Sequence, residues 1–271
     1  MNYRHLYHAG NFADAVKHVT VIILLEKLSE KEAPFCFLDT HAGIGLYALQ
    51  SEQAKKSQEY NNGISKIMCA EKNAMPLVVK KYVSIVEKYN ADHSVAYYPG
   101  SPLIAEECLR AQDQMILCEL HPDDYFFLKD NVGKSKQIAI HHMDGYLSMK
   151  AFLPPKLKRG LVLIDPPFEA SNEFAKIQEA VRISLQHWRA GHYLIWYPMK
   201  DEDKVKSFYR AMRALSAPLC MVEFKINAIN DEDKLNAFGL MLVNPPWLVK
   251  ETLENTLPYL AEKLGGTFKI R

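Results

Sequence analysis

Residues 165–168 carry the clearest chemical potential in this chain of 271 residues. An apolar run, residues 161–164, leads directly into Asp165-Pro166-Pro167-Phe168. Asp165 can accept a hydrogen bond from an exocyclic amine. The Pro166 carbonyl can accept a second, because Pro167 biases the residue before it towards an extended conformation. Phe168 offers a flat apolar face for a base to stack on. Two such acceptors would pull the amine protons of an adenine out of plane and direct the N6 lone pair at an electrophile.

Seven short apolar runs predict the strands that position this motif. Most are continuous rather than alternating, as expected for a parallel sheet covered on both faces. Helical patterns separate the first six runs, whereas only a polar loop joins the last two, which predicts an antiparallel hairpin. The fold class is therefore α/β, a Rossmann-like, doubly wound sheet of seven strands. The runs are Phe35–Asp39, Gln114–Glu119, Gln137–His142, Gly160–Asp165, Gly191–Tyr197, Leu219–Ile226 and Ala237–Val243.

One connection is longer than a single crossover needs. About 60 residues separate the helix expected after the first strand from the second strand, and they include the polar stretch Gln53–Asn62 and the helical pattern Pro76–Tyr89. We therefore predict a small helical insertion at residues 50–97. The main domain would comprise residues 1–49 and 98–271.

Acidic residues stand at the ends of four successive predicted strands. Asp39 ends the first strand and Glu119 the second, Asp144-Gly145 follow the third, and Asp165 ends the fourth. Ligands of open α/β sheets bind at the carboxyl ends of the strands. One acid there is usually a helix cap. Four in a row favour a nucleoside site, because carboxylates accept hydrogen bonds from ribose hydroxyls and base amino groups.

A glycine-containing loop follows the first strand. Gly43–Ala48 fits the G-x-G-x-x-A dinucleotide pattern, and we expect it to bring a ligand close to the backbone where the next helix begins. The match to a nicotinamide site is weak, because the first glycine comes four residues after Asp39 and the next strand-end acid is not about 20 residues further on. A nicotinamide dehydrogenase would also leave residues 165–168 unexplained.

Together these features resemble the amino-methylating branch of the class I S-adenosylmethionine-dependent methyltransferases. The N-terminal residues narrow the resemblance to the bacterial large-subunit ribosomal RNA adenine-N6 methyltransferase J family, over essentially the whole chain. The segments that carry it are Tyr3-Arg4-His5, His8-Ala9-Gly10-Asn11, Ala13-Asp14, Lys17-His18, Leu38–Gly43 and Tyr98–Pro102.

The resemblance implies a reaction and its site. The enzyme would transfer a methyl group from S-adenosylmethionine to N6 of adenine 2030 in free 23S ribosomal RNA, leaving S-adenosylhomocysteine. Asp165 would be catalytic. The residues implied at the cofactor are His18, His41, Ser101, Glu119, Asp144, Gly145 and Asp165, and those implied at the RNA are Tyr3, Lys17, Pro166 and Phe168.

Some implied residues also have simpler interpretations. His18 could be a structural histidine of a helix, Ser101 the cap of a helix Ser101–Arg110, and Tyr3 part of a disordered terminus. Phe168 departs from the tyrosine common in the family, which preserves stacking but removes a hydroxyl. Phe12 stands where a polar residue or histidine is expected.

Composition limits the other possibilities. A net charge of +1 is too low for a protein that binds phosphate non-specifically, so any RNA contact must use a local patch. The five cysteines lack C-x-x-C spacing, the start lacks a signal-peptide pattern, and Val19–Leu25 is too short to cross a bilayer. We therefore expect a cytoplasmic protein without a membrane or obligate protein partner, as a monomer. We expect no metal site, because the adjacent His141 and His142 would face opposite sides of a strand.

Two further functions remain open. A DNA adenine-N6 methyltransferase shares the Asp-Pro-Pro-Phe motif, and only the resemblance of the N-terminus favours RNA. A non-enzymatic RNA-binding module on a lapsed methyltransferase fold is disfavoured by the intact motif and by the series of acids.

Overall fold

The first strand, β1 (Cys36–Asp39), lies inside a large sheet and pairs in parallel with a strand on either side. The computed structural model describes residues 5–91, 95–133, 135–227 and 235–271. Tyr3, implied to contact RNA, lies outside these residues. The remaining described strands are β2 (Leu46–Ala48), β3 (Tyr97–Pro99), β4 (Gln114–Glu119), β5 (Ile138–His142), β6 (Gly160–Ile164), β7 (His192–Pro198), β8 (Leu219–Ile226), β9 (Ala237–Val243) and β10 (Gly266–Ile270).

Eight of the described strands form one sheet in the order β10-β8-β9-β7-β6-β1-β4-β5. The strands from β5 to β7 are parallel, whereas β9 runs antiparallel to both β7 and β8. All seven predicted strands and the terminal hairpin are thus confirmed. The strand β10, antiparallel to β8 at the edge, was missed. Its five residues alternate between half-buried and exposed, unlike the continuous apolar runs that marked the other strands.

Helices cover both faces of the sheet. The described helices are α1 (Phe12–Ser29), α2 (Glu52–Ser57), α3 (Ile64–Met68), α4 (Leu77–Lys88), α5 (Ser101–Glu106), α6 (Pro122–Asn131), α7 (Gly145–Phe152), α8 (Glu173–His187), α9 (Glu202–Arg213) and α10 (Val249–Leu264). α1 packs against α4, α5 and α10 within one apolar cluster, and α7, α8 and α9 belong to a second. No helix within the described ranges has the length and hydropathy needed to cross a membrane.

The expectation that a helix begins at the glycine loop is wrong. Gly43 and Gly45 adopt positive φ angles of 62° and 78°, which turn the chain back on itself. The residues that follow form β2, which pairs with β3 in a separate antiparallel ribbon. The short helix α5 follows β3 and returns the chain towards β4.

The helix α1 is buried on nearly all sides. The side chain of Asn11 caps it by accepting hydrogen bonds from the backbone N–H groups of Ala13 and Asp14. Its apolar residues lie between the sheet and neighbouring helices, so it is hydrophobic all round. Two polar residues on such a helix, Lys17 and His18, are therefore held in fixed positions.

The segment predicted as an insertion, residues 50–97, contains α2, α3 and α4. Val79, Tyr82 and Val86 of α4 lie in the same apolar cluster as α1 and the sheet. A separate subdomain with these bounds stays a prediction.

Burial of α1 predicts a large stability loss on truncation of its side chains. Leu24 is 1% exposed, whereas Leu77 on α4 is 83% exposed. We expect Leu24→Ala to lower the free energy of unfolding by about 2–5 kcal/mol, because it removes buried contacts and leaves a cavity. Urea unfolding provides the measurement. Leu77→Ala is the matched control and should change stability by less than about 0.5 kcal/mol; equal losses for the two variants would contradict the packing of α1.

Candidate active site

The carboxyl ends of β1, β4 and β6 and the loop after β5 meet around a cavity of about 1300 Å³. Every predicted site residue within the described ranges lines it. These residues are Lys17, His18, His41, Ser101, Glu119, Asp144, Gly145, Asp165, Pro166 and Phe168. The sheet therefore brings together residues from most of the length of the chain; their individual roles stay predictions.

Asp165 faces this cavity directly after the buried strand β6. Its side chain is 17% exposed, and its Oδ2 lies 2.5 Å from the ammonium nitrogen of Lys17. Among the described residues, none donates a hydrogen bond to its other oxygen, Oδ1. The carboxylate is thus held on one side and open on the other.

Lys17 is buried and bridges two carboxylates. Its ammonium donates to Oδ1 of Asp14 over 2.7 Å and to Oδ2 of Asp165 over 2.5 Å. Burial alone would lower the pKa of Lys17, but the attraction of Asp14 and then of Asp165 outweighs it, so the pKa is raised. The resemblance implied a place for Lys17 at the RNA. Its ammonium is engaged with the carboxylates, and contact with RNA stays a prediction.

Asp14 was not predicted as a site residue, although it lines the cavity. Its Oδ2 lies 3.0 Å from Nε2 of His5 and accepts a hydrogen bond of 2.9 Å from the backbone of Gly10. Although burial opposes ionisation, Lys17 and His5 hold the pKa of Asp14 well below its usual range. A series of polar contacts therefore runs from His5 through Asp14 and Lys17 to Asp165.

Both predicted histidines are held by hydroxyl groups. Nδ1 of His18 lies 2.7 Å from the hydroxyl of Tyr98, and burial lowers the pKa of His18 to about 3. Thr40 donates its hydroxyl proton to the Leu163 carbonyl, so Nδ1–H of His41, at 2.8 Å, donates to the threonine oxygen. Burial lowers the pKa of His41 to about 4. Both rings are neutral at pH 7, and Nε2 of His41 is an acceptor.

Ser101 is not the helix cap that its alternative interpretation required, because Gly100 occupies that position. The hydroxyl of Ser101 instead donates a hydrogen bond of 2.6 Å to Asp39. Asp39 also accepts from the backbone of His41 over 3.2 Å and is fully buried. Burial raises the pKa of Asp39 to about 7. This strand-end acid therefore lies behind the cavity and holds two of the residues that line it.

Glu119 is fixed by backbone donors. Its Oε2 accepts a hydrogen bond of 2.9 Å from Gly43, and its Oε1 accepts one of 2.8 Å from His121. Burial raises its pKa. A carboxylate has about four acceptor positions, so Glu119 keeps capacity for hydroxyl groups of a ligand. The positive φ of Gly43 is what aims its N–H at this carboxylate.

Asp144 is the N-cap of α7, and its Oδ1 accepts from the backbones of Tyr146 and Leu147 at 2.9 Å each. A Cβ atom on Gly145 would lie 2.2 Å from the Thr40 carbonyl oxygen and 2.9 Å from the ring of His41. Glycine is required there because the two loops touch.

Phe168 adopts a positive φ of 51°, which is rare for an aromatic residue and indicates local strain. Its ring makes edge contacts with Phe174 and Trp196, at centroid distances of 5.0 and 5.8 Å. The surrounding aromatic residues thus fix the orientation of the ring at the cavity wall.

A sequence similar to residues 165–168, Asn-Pro-Pro-Trp at residues 244–247, does not line this cavity. It follows β9, which runs antiparallel to β6 and therefore ends at the opposite edge of the sheet. The side chain of Asn244 donates to the carbonyls of Arg189 and Gly191, so its role is structural.

Comparison with known proteins identifies the family. A family model described as "Ribosomal RNA large subunit methyltransferase D, RlmJ" matches residues 32–269. The chain is 36% identical over 266 residues to ribosomal RNA large subunit methyltransferase J of Haemophilus influenzae, and 37% over 265 residues to that of Escherichia coli. Each alignment covers 97% of this chain and 94% of the relative. The chain belongs to this family.

Membership of the RlmJ family confirms the predicted class of enzyme, a methyltransferase that uses S-adenosylmethionine. The fold agrees: a crystal structure of a Legionella pneumophila protein superposes with a TM-score of 0.91 at 33% identity, covering 97% of this chain and 98% of that one.

The raised pKa of Asp39 predicts a pH dependence of stability. The folded state holds the Asp39 proton up to about pH 7, whereas the unfolded state releases it near the usual carboxyl value. The stabilising contribution of Asp39 is therefore complete below about pH 4 and is lost as pH rises to about 7. Asp39→Asn cannot titrate, keeps an oxygen to accept from the backbone N–H of His41, and can donate from its amide N–H₂ to the hydroxyl oxygen of Ser101. Urea unfolding at several pH values should show the wild type losing stability relative to this variant as pH rises from 4.5 to 7; a constant difference would refute the shift.

Proposed function

We propose that this chain methylates N6 of an adenine in 23S ribosomal RNA, with Asp165 as the residue that orients the amine. The observation that carries the proposal is the carboxylate of Asp165, which lines a cavity together with Phe168 and whose Oδ1 accepts no hydrogen bond from the described residues. The names of the relatives support ribosomal RNA as the substrate. From the family we further propose adenine 2030, in protein-free RNA, as the target.

The part of the cavity around Glu119 suits the methyl donor. We assign Glu119 to the ribose hydroxyls, Asp144 and Gly145 to the adenine, and His18, His41 and Ser101 to the rest of the cofactor. Two neutral histidines beside carboxylates suit a positively charged ligand, because they add no repulsion. When bound, S-adenosylmethionine supplies an electrophilic methyl group on its sulfonium.

The part around Asp165 suits the base. Oδ1 of Asp165 and the carbonyl of Pro166 accept hydrogen bonds from the two N–H groups of N6, and Phe168 offers its ring for stacking. Orientation of this kind is worth roughly 7–11 kcal/mol of the barrier. As the bond from N6 to the methyl carbon forms and the carbon–sulfur bond breaks, the amine becomes acidic. We therefore expect N6 to lose its proton late in, or after, methyl transfer.

Mass spectrometry of 23S ribosomal RNA, incubated with the protein and methyl donor, tests the function. We expect one N6-methyladenine, formed on protein-free RNA and not on assembled large subunits. Methylation of duplex DNA in preference to RNA would favour the DNA methyltransferase instead. Donor binding without methylation of either nucleic acid would favour the non-enzymatic module. The proposal includes action as a monomer in the cytoplasm.

Substitution of Asp165 tests the catalytic assignment. We expect Asp165→Ala to lower kcat by about 10²–10⁴-fold, because the amine loses an acceptor that orients it. Calorimetry should show that the variant still binds S-adenosylmethionine. The control is Asp203→Ala, whose carboxylate is 97% exposed on α9. Turnover by Asp165→Ala at the wild-type rate would remove this residue from the mechanism.

Substitution of Phe168 tests base stacking. We expect Phe168→Ala to reduce kcat/KM for RNA by roughly 5- to 150-fold, the equivalent of the 1–3 kcal/mol that one stacked base contributes. Phe168→Tyr keeps the ring and should retain most activity. Steady-state kinetics with RNA gives both values, and an unchanged kcat/KM in the alanine variant would count against stacking.

A further inference from the structure

The buried carboxylate of Asp14 is separated from Asp165, the residue proposed to orient the amine, by Lys17 alone. Asp14 contacts the ammonium of Lys17, which in turn contacts Asp165. We propose that Asp14 is a positioning residue for methyl transfer: it shares the ammonium of Lys17, so that Asp165 keeps one oxygen free for the substrate amine. This inference rests on the function proposed above.

The geometry of the ammonium supports this role. A lysine has three N–H donors, and the side chain of Lys17 is only 5% exposed, so water has little access to them. One donor goes to Oδ1 of Asp14 and one to Oδ2 of Asp165. If Asp14 carried no charge, the attraction on the ammonium would come from Asp165 alone. The lysine would then compete with the amine for both oxygens of Asp165.

Charge leads to the same conclusion. Asp14, Lys17 and Asp165 are two anions and one cation, so together they carry one negative charge. Asp14 is 3% exposed and its pKa is held well below the usual range, so it stays ionised. Neutralising it would leave Asp165 fully compensated by Lys17 and weaken Asp165 as an acceptor for a neutral amine.

Asp14 also has a structural role that the test must separate. It lies in the first turn of α1 and accepts a hydrogen bond of 2.9 Å from Gly10. Asparagine has the same shape and keeps one acceptor oxygen for Gly10, so Asp14→Asn removes the charge and retains this hydrogen bond. Should that variant fail to fold, Asp14→Ser, smaller and with a hydroxyl acceptor, takes its place.

The chain offers a matched control. Asp113 is fully buried and accepts hydrogen bonds from Arg110 and from the backbone of Phe35. It directly precedes β4, at the amino end of that strand, whereas the cavity lies at the carboxyl end. Asp113→Asn therefore also removes a buried, paired carboxylate. It should lower stability while leaving kcat unchanged.

The decisive experiment is a double-mutant cycle with Lys17→Met, read as kcat and KM on 23S ribosomal RNA. We expect Asp14→Asn to lower kcat roughly 10- to 100-fold in the wild-type background with KM changed by less than about threefold. In the Lys17→Met background the same substitution should cause no further loss, because Asp14 acts through the lysine.

The other possible results would overturn either the role of Asp14 or the proposed function. An equal loss of kcat in both backgrounds, a loss seen only in KM, or wild-type activity of Asp14→Asn would overturn the inference and leave the proposed function standing. A wild-type protein that methylates no RNA would overturn the proposed function, and the inference with it.

Discussion

A lysine ammonium buried between two carboxylates is the interaction on which the site depends. A buried charge is costly unless it is paired and hydrogen-bonded, and removal of one partner from such a group costs several kcal/mol. Lys17 can remain charged on the buried helix α1 only because Asp14 and Asp165 both reach it. The position of α1 against the sheet therefore fixes the carboxylate of Asp165 as well as the core. The contacts of Lys17 with Asp14 and Asp165 therefore both hold α1 in place and position the carboxylate at the cavity.

The strand order brings four acids to one edge of the sheet and so creates a problem of repulsion. Neighbouring strands lie about 4.8 Å apart, and β5, β4, β1 and β6 are adjacent. Each of the four carboxyl groups has a different environment. Burial raises the pKa of Asp39 to about 7 and so disfavours its charged form, Glu119 accepts from two backbone donors, Asp144 caps a helix, and Asp165 pairs with Lys17. These separate solutions make four similar side chains chemically distinct.

Local patterns predicted the fold, the strand-end acids and residues 165–168, and the family resemblance supplied the other predicted residues around the cavity. Contacts between distant segments were not predictable. Continuous apolar runs revealed seven strands, but the alternating run of β10 carried no such signal. Asp165 was evident because it follows a strand and precedes two prolines. Its partner Lys17 lies 148 residues away, and no spacing in the sequence relates the two. Asp14 was missed as a site residue for the same reason, since its partners come from the folded arrangement. Asp39 was predicted among the strand-end acids, but its burial behind the cavity was not.

The protonation states of the buried groups follow from the same packing. Burial keeps His18 and His41 neutral, with pKa values of about 3 and 4. The single positive charge of Lys17 is already matched by two carboxylates. Lys17, Asp14 and Asp165 together carry one negative charge, and the two neutral histidines add no positive charge beside them. Because these residues also hold α1 against the sheet, the charge at this part of the cavity wall is set by the fold.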